Sequence, residues 1–334
     1  MKINAYCLDW HVANSAAFVD LLVDPLEPYI GINLKVWDGE RIPKETEKKT
    51  PLIFCMLPPS ETVLKNYKGK IVWIPMWDQA QGYDKKWWNN LPTNLSIVAF
   101  SDVVCQKATQ AGLKTLRLKY YKNPKSFKPV SWERGNIVFY WNRTGLIDQT
   151  FLEKLCSSIG ATELLFRSHL DPRIDKKFYY QMLEKIGNTE VVDINVDSRG
   201  SYLRAIEPAN IFIAPRAREG VGMTFLEAMA RGCAVIANNE STMNEYIFQN
   251  KNGLLLDYPE SHRASKLTEF ISTKRSEVKP PIHHLSRENQ DWQEIAKINF
   301  RRLGDKARLD SQKGYERWIK SIPKYAEFIL SDRP

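Results

Sequence analysis

An α/β fold of two doubly wound domains facing a cleft, with helices at the C-terminal end, is what the 334-residue sequence predicts. Three observations carry that expectation. Short apolar runs alternate with stretches of helical periodicity. The rhythm stops near a Pro- and Lys-rich segment and then restarts. The last part of the chain is helical in pattern throughout. At roughly 150 residues per domain, the length also favours two domains.

In the first half, Ile3–Leu8 reads as a strand, and Ala13–Tyr29 as a helix ending near Pro25 and Pro28. Asn33–Trp37, Leu52–Leu57, Ile71–Met76 and Leu95–Phe100 read as further strands. Ser101 is placed to cap a helix that Gly112 stops. Strands of this length alternating with helices predict a parallel sheet covered on both faces. Lys122–Pro129 reads as a linker, so residues 1–129 form the expected N-terminal, acceptor-side domain.

The second half repeats the scheme. Asn136–Trp141, Thr162–Arg167, Glu190–Ile194, Asn210–Ala214, Ala234–Ala237 and Leu254–Leu256 are expected strands. Gln149–Ile159, Lys176–Ile186, a short helix from Tyr202, Gly222–Arg231 and Thr242–Phe248 are expected helices. Residues 130–275 thus form a second Rossmann-like domain, and α/β ligands bind at the carboxyl ends of such strands. The tail, 276–334, is expected to pack back on the first domain. Before it lies a helix over Arg263–Thr273, and Pro280-Pro281 then breaks the chain. Ser286–Leu303 and Ser311–Leu330 are two more helices, the first capped by Ser286 and the second kinked at Pro323.

Composition narrows the function. Apolar residues are 43% and charged residues 26%, so the chain can build a core and is not a disordered polymer. The apolar runs fall short of the ~20 residues of a membrane-spanning helix. The polar start, Met1-Lys-Ile-Asn, broken by Asp9 and His11, is unlike a signal peptide. The five cysteines are odd in number and show no C-x-x-C spacing, which favours a reducing, cytoplasmic location over zinc binding or disulfides. Three of them lie in apolar strand-like runs and read as small buried hydrophobes.

The net charge of +9 is uneven. Basic residues outnumber acidic ones 18 to 12 over 1–130 and 16 to 10 over 262–334, but trail 14 to 17 over 131–261. Lys114, Arg117, Lys119, Lys122, Lys125 and Lys128 form a run without an intervening acid. A solvated face and an anion-facing surface, including an anionic membrane at the inner side of the cell, both remain open. No nucleic-acid motif accompanies the run, so nucleic acid is not an expected partner.

The segment Glu219-Gly-Val-Gly-Met-Thr-Phe-Leu-Glu227 concentrates the chemistry. A strand feeds a loop and the loop feeds a helix. Gly220 and Gly222 permit close approach of a ligand to the backbone. The N–H groups of Gly222, Met223 and Thr224 at the helix start favour a phosphate. The dinucleotide fingerprint is incomplete, since Phe225 occupies its third glycine position. Glu227, one turn into the helix and flanked by apolar residues, can accept hydrogen bonds from hydroxyls such as those of a ribose.

This segment resembles the E-x7-E signature of retaining GT-B glycosyltransferases, the group classified as family four. The resemblance extends from Tyr202 to Asp257, through Cys233-Ala-Val-Ile-Ala, the loop with Glu245, and Asn252-Gly-Leu-Leu-Leu-Asp. It implies an NDP-sugar donor held by the second domain. Glu219 would contact the donor sugar hydroxyls with Gly220 beside it. Gly222, Met223 and Thr224 would hold the diphosphate, and Glu227 the ribose. Arg143, in Trp-Asn-Arg143-Thr-Gly, stands where the family places an arginine after the first strand of this domain. Asp148 stands where a lysine is expected, which leaves Lys154, Arg167 or a first-domain group to supply a second cation. Arg167 joins the donor-binding set on that ground.

The first domain departs further from the pattern. Asp9-Trp-His11-Val-Ala-Asn14-Ser15 replaces a glycine pair, and Trp77-Asp78-Gln79 replaces a histidine motif. His11, Asn14 and Trp77 are the acceptor-side candidates, and Asp78 is a candidate for orienting the acceptor or supporting the donor sugar. A structural histidine at position 11 and a strand-end cap at position 78 remain open, as does core packing for the tryptophans at 73, 77, 87 and 88. The implied reaction is retaining, hexosyltransferase-like transfer from an NDP-sugar to a glycan or lipid-linked acceptor, as in polysaccharide or lipopolysaccharide biosynthesis. No cofactor or essential metal is expected, and no D-x-D motif occurs. A non-catalytic nucleotide-sugar or glycan-binding subunit and a GT-B sugar-nucleotide epimerase are the alternatives.

Overall fold

A computed structural model describes residues 2–9, 12, 17–37, 50–169, 185–194, 198–258 and 291–331. The chain divides into two compact units. One comprises Met1–Tyr120, Glu219–Val221 and Gly314–Pro334; the other comprises Tyr121–Arg218 and Gly222–Lys313.

The first unit is built on a six-stranded sheet: β1 (Lys2–Cys7), β2 (Gly31–Val36), β3 (Leu52–Met56), β4 (Ile71–Pro75), β5 (Leu95–Ala99) and β6 (Lys114–Arg117). Their spatial order is β2-β1-β3-β4-β5-β6, all parallel. The strands β3, β4 and β5 are buried on both faces, which is why they read as unbroken apolar runs. Helical turns over Val19–Leu26 and the helices α1 (Glu61–Asn66), α2 (Trp77–Ala80), α3 (Lys85–Asn89) and α4 (Asp102–Gln110) provide the crossovers. Ser60, Asp84 and Ser101 cap α1, α3 and α4 by accepting from Val63, Trp87 and Val104 N–H groups. The tryptophan-rich stretch is largely core. Trp73 and Trp88 are fully buried and stacked at 5.5 Å, and the Trp73 indole donates to Met56 O at 3.2 Å.

The second unit holds seven strands: β7 (Asn136–Asn142), β8 (Ala161–Ser168), β9 (Lys185–Ile186), β10 (Thr189–Asp193), β11 (Ile211–Ile213), β12 (Ala234–Asn238) and β13 (Gly253–Leu256). Their order is β13-β12-β11-β7-β8-β10-β9. All pairs are parallel except the β9–β10 hairpin. The helices are α5 (Gln149–Ser158), α6 (Arg199–Ala205), α7 (Met223–Arg231), α8 (Trp292–Ala296) and the first part of α9 (Phe300–Leu330), which from Gly314 on belongs to the first unit. The order reverses direction between β7 and β11, so the residues after both strands meet at a topological switch point.

Several local expectations are corrected. Lys185 and Ile186, assigned to the end of a helix over Lys176–Ile186, pair instead as a strand with Thr189 and Glu190. The rest of that helix lies outside the described residues, as do Arg263–Thr273, Pro280-Pro281 and Ser286. Thr242–Phe248 holds only a single 3-10 turn, Met243–Glu245. There Asn252 binds the chain in place of helical hydrogen bonds, accepting from Phe248 N–H at 2.7 Å and donating to Tyr246 O at 3.0 Å. The expected helix ending at Leu303 is two: α8, capped by Asp291, ends at Ala296, and α9 starts at Phe300. Lys122–Pro129 is not a loose linker. Tyr121, Lys122 and Pro124 are buried, and Arg308 donates to Pro124 O at 2.9 Å.

The helix α9 runs unbroken through Pro323. The carbonyl that loses its partner there belongs to Ile319, which is 43% exposed, so water can take the place of the missing N–H. The apolar stripe of this helix is packed. Trp318, Ile322, Tyr325 and Ile329 are buried, with Trp318 and Tyr325 against Phe100 at 6.1 and 6.5 Å. The Lys70 ammonium donates to Phe328 O and, at 3.2 Å, to Ser331 O, which holds the end of the helix. The long basic run is also engaged locally. Arg117 pairs with Asp102 at 2.6 Å, Lys128 with Glu207 at 2.7 Å, and Lys114 lies over Phe328 at 5.8 Å.

Four cysteines are buried thiols and Cys105 is half-buried. Burial raises the Cys7 and Cys233 thiols from the ordinary 9.0 to about 11, and that of Cys156 to about 12. A folded-state pKa above the unfolded one gives stability that is complete below pH 9.0 and lost as pH rises through the folded value. Unfolding midpoints are therefore expected to fall between pH 9.0 and about 12. Thiol labelling of the native protein at neutral pH should modify Cys105 and spare the other four until denaturant is added. Rapid native labelling of Cys156 would contradict this.

Candidate functional site

The strand β7 is central in its sheet, and its carboxyl end carries the first cluster. Asn142 is fully buried and accepts from Gly145 N–H at 3.0 Å, closing a tight turn around Arg143. The Thr144 hydroxyl donates to Pro215 O at 2.9 Å, tying this turn to the segment after β11. The Arg143 side chain folds back over Trp141, with its guanidinium carbon 4.6 Å from the ring centroid. Arg167 reaches the same ring from β8, at 4.1 Å. The two strands are in register there, Trp141 opposite Arg167, so sheet pairing itself makes the contact. The Trp141 indole N–H donates to His169 O at 2.8 Å. A guanidinium over an indole contributes about 0.5–1 kcal/mol when exposed and up to about 2 when desolvated.

Tyr202, on α6, completes the cluster. Its ring lies 5.8 Å from Phe139 and 5.7 Å from Trp141, which are two apart on β7 and so share a face. Arg167 lies 5.3 Å from the Tyr202 ring. Burial pushes the Tyr202 hydroxyl well above its usual range, and the negative charge of Glu227 pushes it further. Arg167, Arg143 and Arg231 oppose that rise. One tyrosine thus senses Glu227 and three guanidiniums. Of the donor-site candidates, Arg143 and Arg167 meet at Trp141, and Glu227 is near enough for its charge to reach Tyr202. Arg231, nearly buried, donates to Ile206 O at 3.1 Å and Glu207 O at 2.9 Å, a structural role.

Glu227 lies in the second turn of α7 and is half-buried. This helix starts without a side-chain cap. Gly222 occupies the cap position with φ 79°, a left-handed conformation. The turn leaves the first N–H groups of the helix, at Met223 and Thr224, without a capping side chain, where anions are favoured. The α7 helix is otherwise core, with Phe225, Leu226, Met229 and Ala230 buried.

Asp148, in the position expected of a lysine, is the N-cap of α5 and accepts from Phe151 N–H at 2.9 Å. A lysine has no acceptor for that bond, so the departure has a local structural reason.

In the first unit, Glu219 is 6% exposed. Gly220 sits against the chain after β4: an added Cβ would lie 2.8 Å from Met76 Cβ and 2.9 Å from Asp78 Oδ1. Asp78, Glu219 and Gly220 are therefore neighbours within this unit. Asp78 lies in the first turn of α2, next to Trp77. Trp77 is half-buried, with Lys107 5.7 Å from its ring, and its indole N–H has no hydrogen-bond partner among the described residues. His11 and Asn14 lie outside the described residues. Among the described residues no cluster of three or more His, Cys, Asp or Glu is arranged to hold a metal, and no helix is long and apolar enough to cross a membrane.

Trp141 and Tyr202 were not singled out by sequence reasoning. Trp141 lies near the end of β7, two residues before Arg143, and that closeness in sequence was the available signal.

Two parallel sheets flanked by helices, each with its own switch point, match solved structures along the whole chain. Sucrose-phosphate synthase from Thermosynechococcus elongatus aligns over 99% of both chains, with TM-score 0.61 and 14% identity. Anabaena HepE in complex with UDP aligns over 100% of both, with TM-score 0.60 and 12% identity. The lipopolysaccharide outer core galactosyltransferase WaaB aligns over 98% of this chain and 99% of its own, with TM-score 0.60 and 13% identity. The chain has the GT-B fold. Within this GT-B chain, residues 175–282 match the family model described as glycosyl transferases group 1. That stretch contains Glu219, Gly222 and Glu227. No curated protein sequence matches the chain.

Proposed function

We propose that this GT-B protein transfers a sugar from a nucleoside-diphosphate sugar to a hydroxyl of a glycan or lipid-linked acceptor, with retention at the anomeric carbon. The observation that carries the reading is the Glu219–Glu227 segment, with its glycine-started helix and a second glutamate whose charge reaches Tyr202, the ring beside Trp141 and Arg167. The match of residues 175–282 to a glycosyl transferase family supports it, as does similarity to HepE, whose structure contains UDP.

In this reading Glu219 accepts hydrogen bonds from the donor sugar. The backbone of Gly222, Met223 and Thr224, with Gly220 giving room, faces the diphosphate, and Glu227 takes the ribose hydroxyls. Arg143 and Arg167 stabilise the charge that develops as the bond from the anomeric carbon to the diphosphate breaks. The acceptor oxygen forms the new bond on the same face, and its proton passes to the departing phosphate. Asp78 orients the acceptor, with Trp77, His11 and Asn14 on the acceptor side. The nucleotide sugar is a substrate, so the scheme assigns no resident cofactor or metal. An anionic membrane surface is the proposed setting for a lipid-linked acceptor.

Thermal unfolding against UDP-, GDP-, ADP- and TDP-sugars tests the donor site. A ligand at 100 times its dissociation constant should stabilise the fold by about 2.7 kcal/mol. That gain should disappear in Glu219→Ala and Glu227→Ala. No stabilisation by any donor would overturn the reading. A second reading, a nucleotide-sugar-binding subunit without turnover, draws on Asp148 serving as a helix cap where a lysine was expected. Binding without any sugar transfer or donor hydrolysis would favour it.

A further inference from the structure

We infer that Trp141 is a positioning residue: its indole gathers Arg143 and Arg167 into a paired guanidinium site for the two phosphates of a nucleoside diphosphate. The inference rests on the donor reading above and adds a residue and a device to it.

Three observations support it. Both guanidinium carbons lie over one ring, at 4.6 and 4.1 Å. The ring cannot swing freely, because its N–H is bound to His169 O at 2.8 Å and it packs at a tilt against Tyr202, with ring centroids 5.7 Å apart. The residue is also placed by the sheet, since Trp141 and Arg167 are partners in the β7–β8 register.

The physical logic is one of preset charge. Two guanidiniums on one indole repel each other, and a doubly charged ligand that accepts from both relieves that repulsion. Planar guanidiniums suit phosphate oxygens, and ordering them beforehand lowers the entropic cost of binding. A uridine or other nucleoside without phosphates gains nothing from the pair. The device therefore predicts selectivity for the diphosphate part of the ligand.

The full-length protein should be titrated with UDP, GDP and ADP, with the matching nucleosides, and with inorganic pyrophosphate. Wild type, Trp141→Ala, Trp141→Phe and Arg167→Gln are compared, each first shown to be folded by circular dichroism. Trp141→Ala and Arg167→Gln should each weaken binding of the diphosphate and of pyrophosphate about tenfold or more, while nucleoside binding stays unchanged. Trp141→Phe keeps an aromatic face and should restore most of the affinity. The slope of affinity against salt should flatten in Arg167→Gln, because one charge contact is gone.

Trp141→Ala binding pyrophosphate and the diphosphate like wild type overturns the inference and leaves the donor reading standing. Equal losses for nucleoside and diphosphate also overturn it, because they mark a general structural defect. Wild type that binds pyrophosphate but no nucleoside diphosphate overturns the donor reading, and with it the nucleoside-diphosphate assignment made here. Wild type that binds neither overturns both.

Discussion

Gly222→Ala should unfold its unit at a temperature lower by on the order of 10 °C. Two costs add. The residue has φ 79°, where a side chain on a left-handed backbone costs about 1–2 kcal/mol. An added Cβ would also fall 1.8 Å from Phe225 Cε1 and 2.4 Å from its Cδ1. Phe225 is fully buried and held edge-on against Tyr246 at 5.7 Å, so the ring has little room to retreat. Overpacking of this kind costs about 1–3 kcal/mol more. In a unit of this size each kcal/mol moves the midpoint by about 2–4 °C. Calorimetry of the purified variant gives the answer, and a midpoint within about 1 °C of wild type would show that the turn relaxes at no cost. Donor affinity should fall as well, because the same turn aims the first N–H groups of α7.

Arg143→Ala should lower turnover about 10²–10³-fold, the usual effect of removing a group that stabilises charge in the transition state. The turn that holds this residue is secured by Asn142 and Thr144, so truncating Arg143 removes a charge without removing the fold's support. Arg143→Lys should recover only part of the loss, because an ammonium lacks the planar fork and the flat face that lies on Trp141. The measurement is release of nucleoside diphosphate at saturating donor, with and without acceptor. A loss of less than about tenfold would place the developing charge elsewhere. The helix start and Arg167 would then be the next groups to truncate.

Much of the architecture was readable because it depends on near neighbours in sequence. The strands β3, β4 and β5 are buried on both faces, so each appears as an unbroken apolar run. Ser101 before α4 is a cap within three residues of its partner N–H. The Glu219–Glu227 segment was legible for the same reason: strand, glycine turn and helix follow each other directly. Where reading failed, distant residues decide. The Met243–Glu245 region is held by Asn252, whose amide also reaches Asp310 at 3.0 Å. The β9–β10 hairpin interrupts a pattern that otherwise reads as helix.

Local sequence was enough for most strands and helices in chain order, for the two sheets, and for the segment from Glu219 to Glu227 with its glycine-started helix, though not for β6 or the β9–β10 hairpin. These follow from periodicity, capping and turn chemistry, all of short range. The packed fold settled which side chains come together. It placed Arg167 opposite Trp141 through strand register and brought α6 over β7, so that Tyr202 meets Trp141 and Arg167 and lies within reach of the Glu227 charge. It also set Gly220 against Asp78. Register and helix packing are settled by the burial of whole faces, and no local stretch of sequence contains that information.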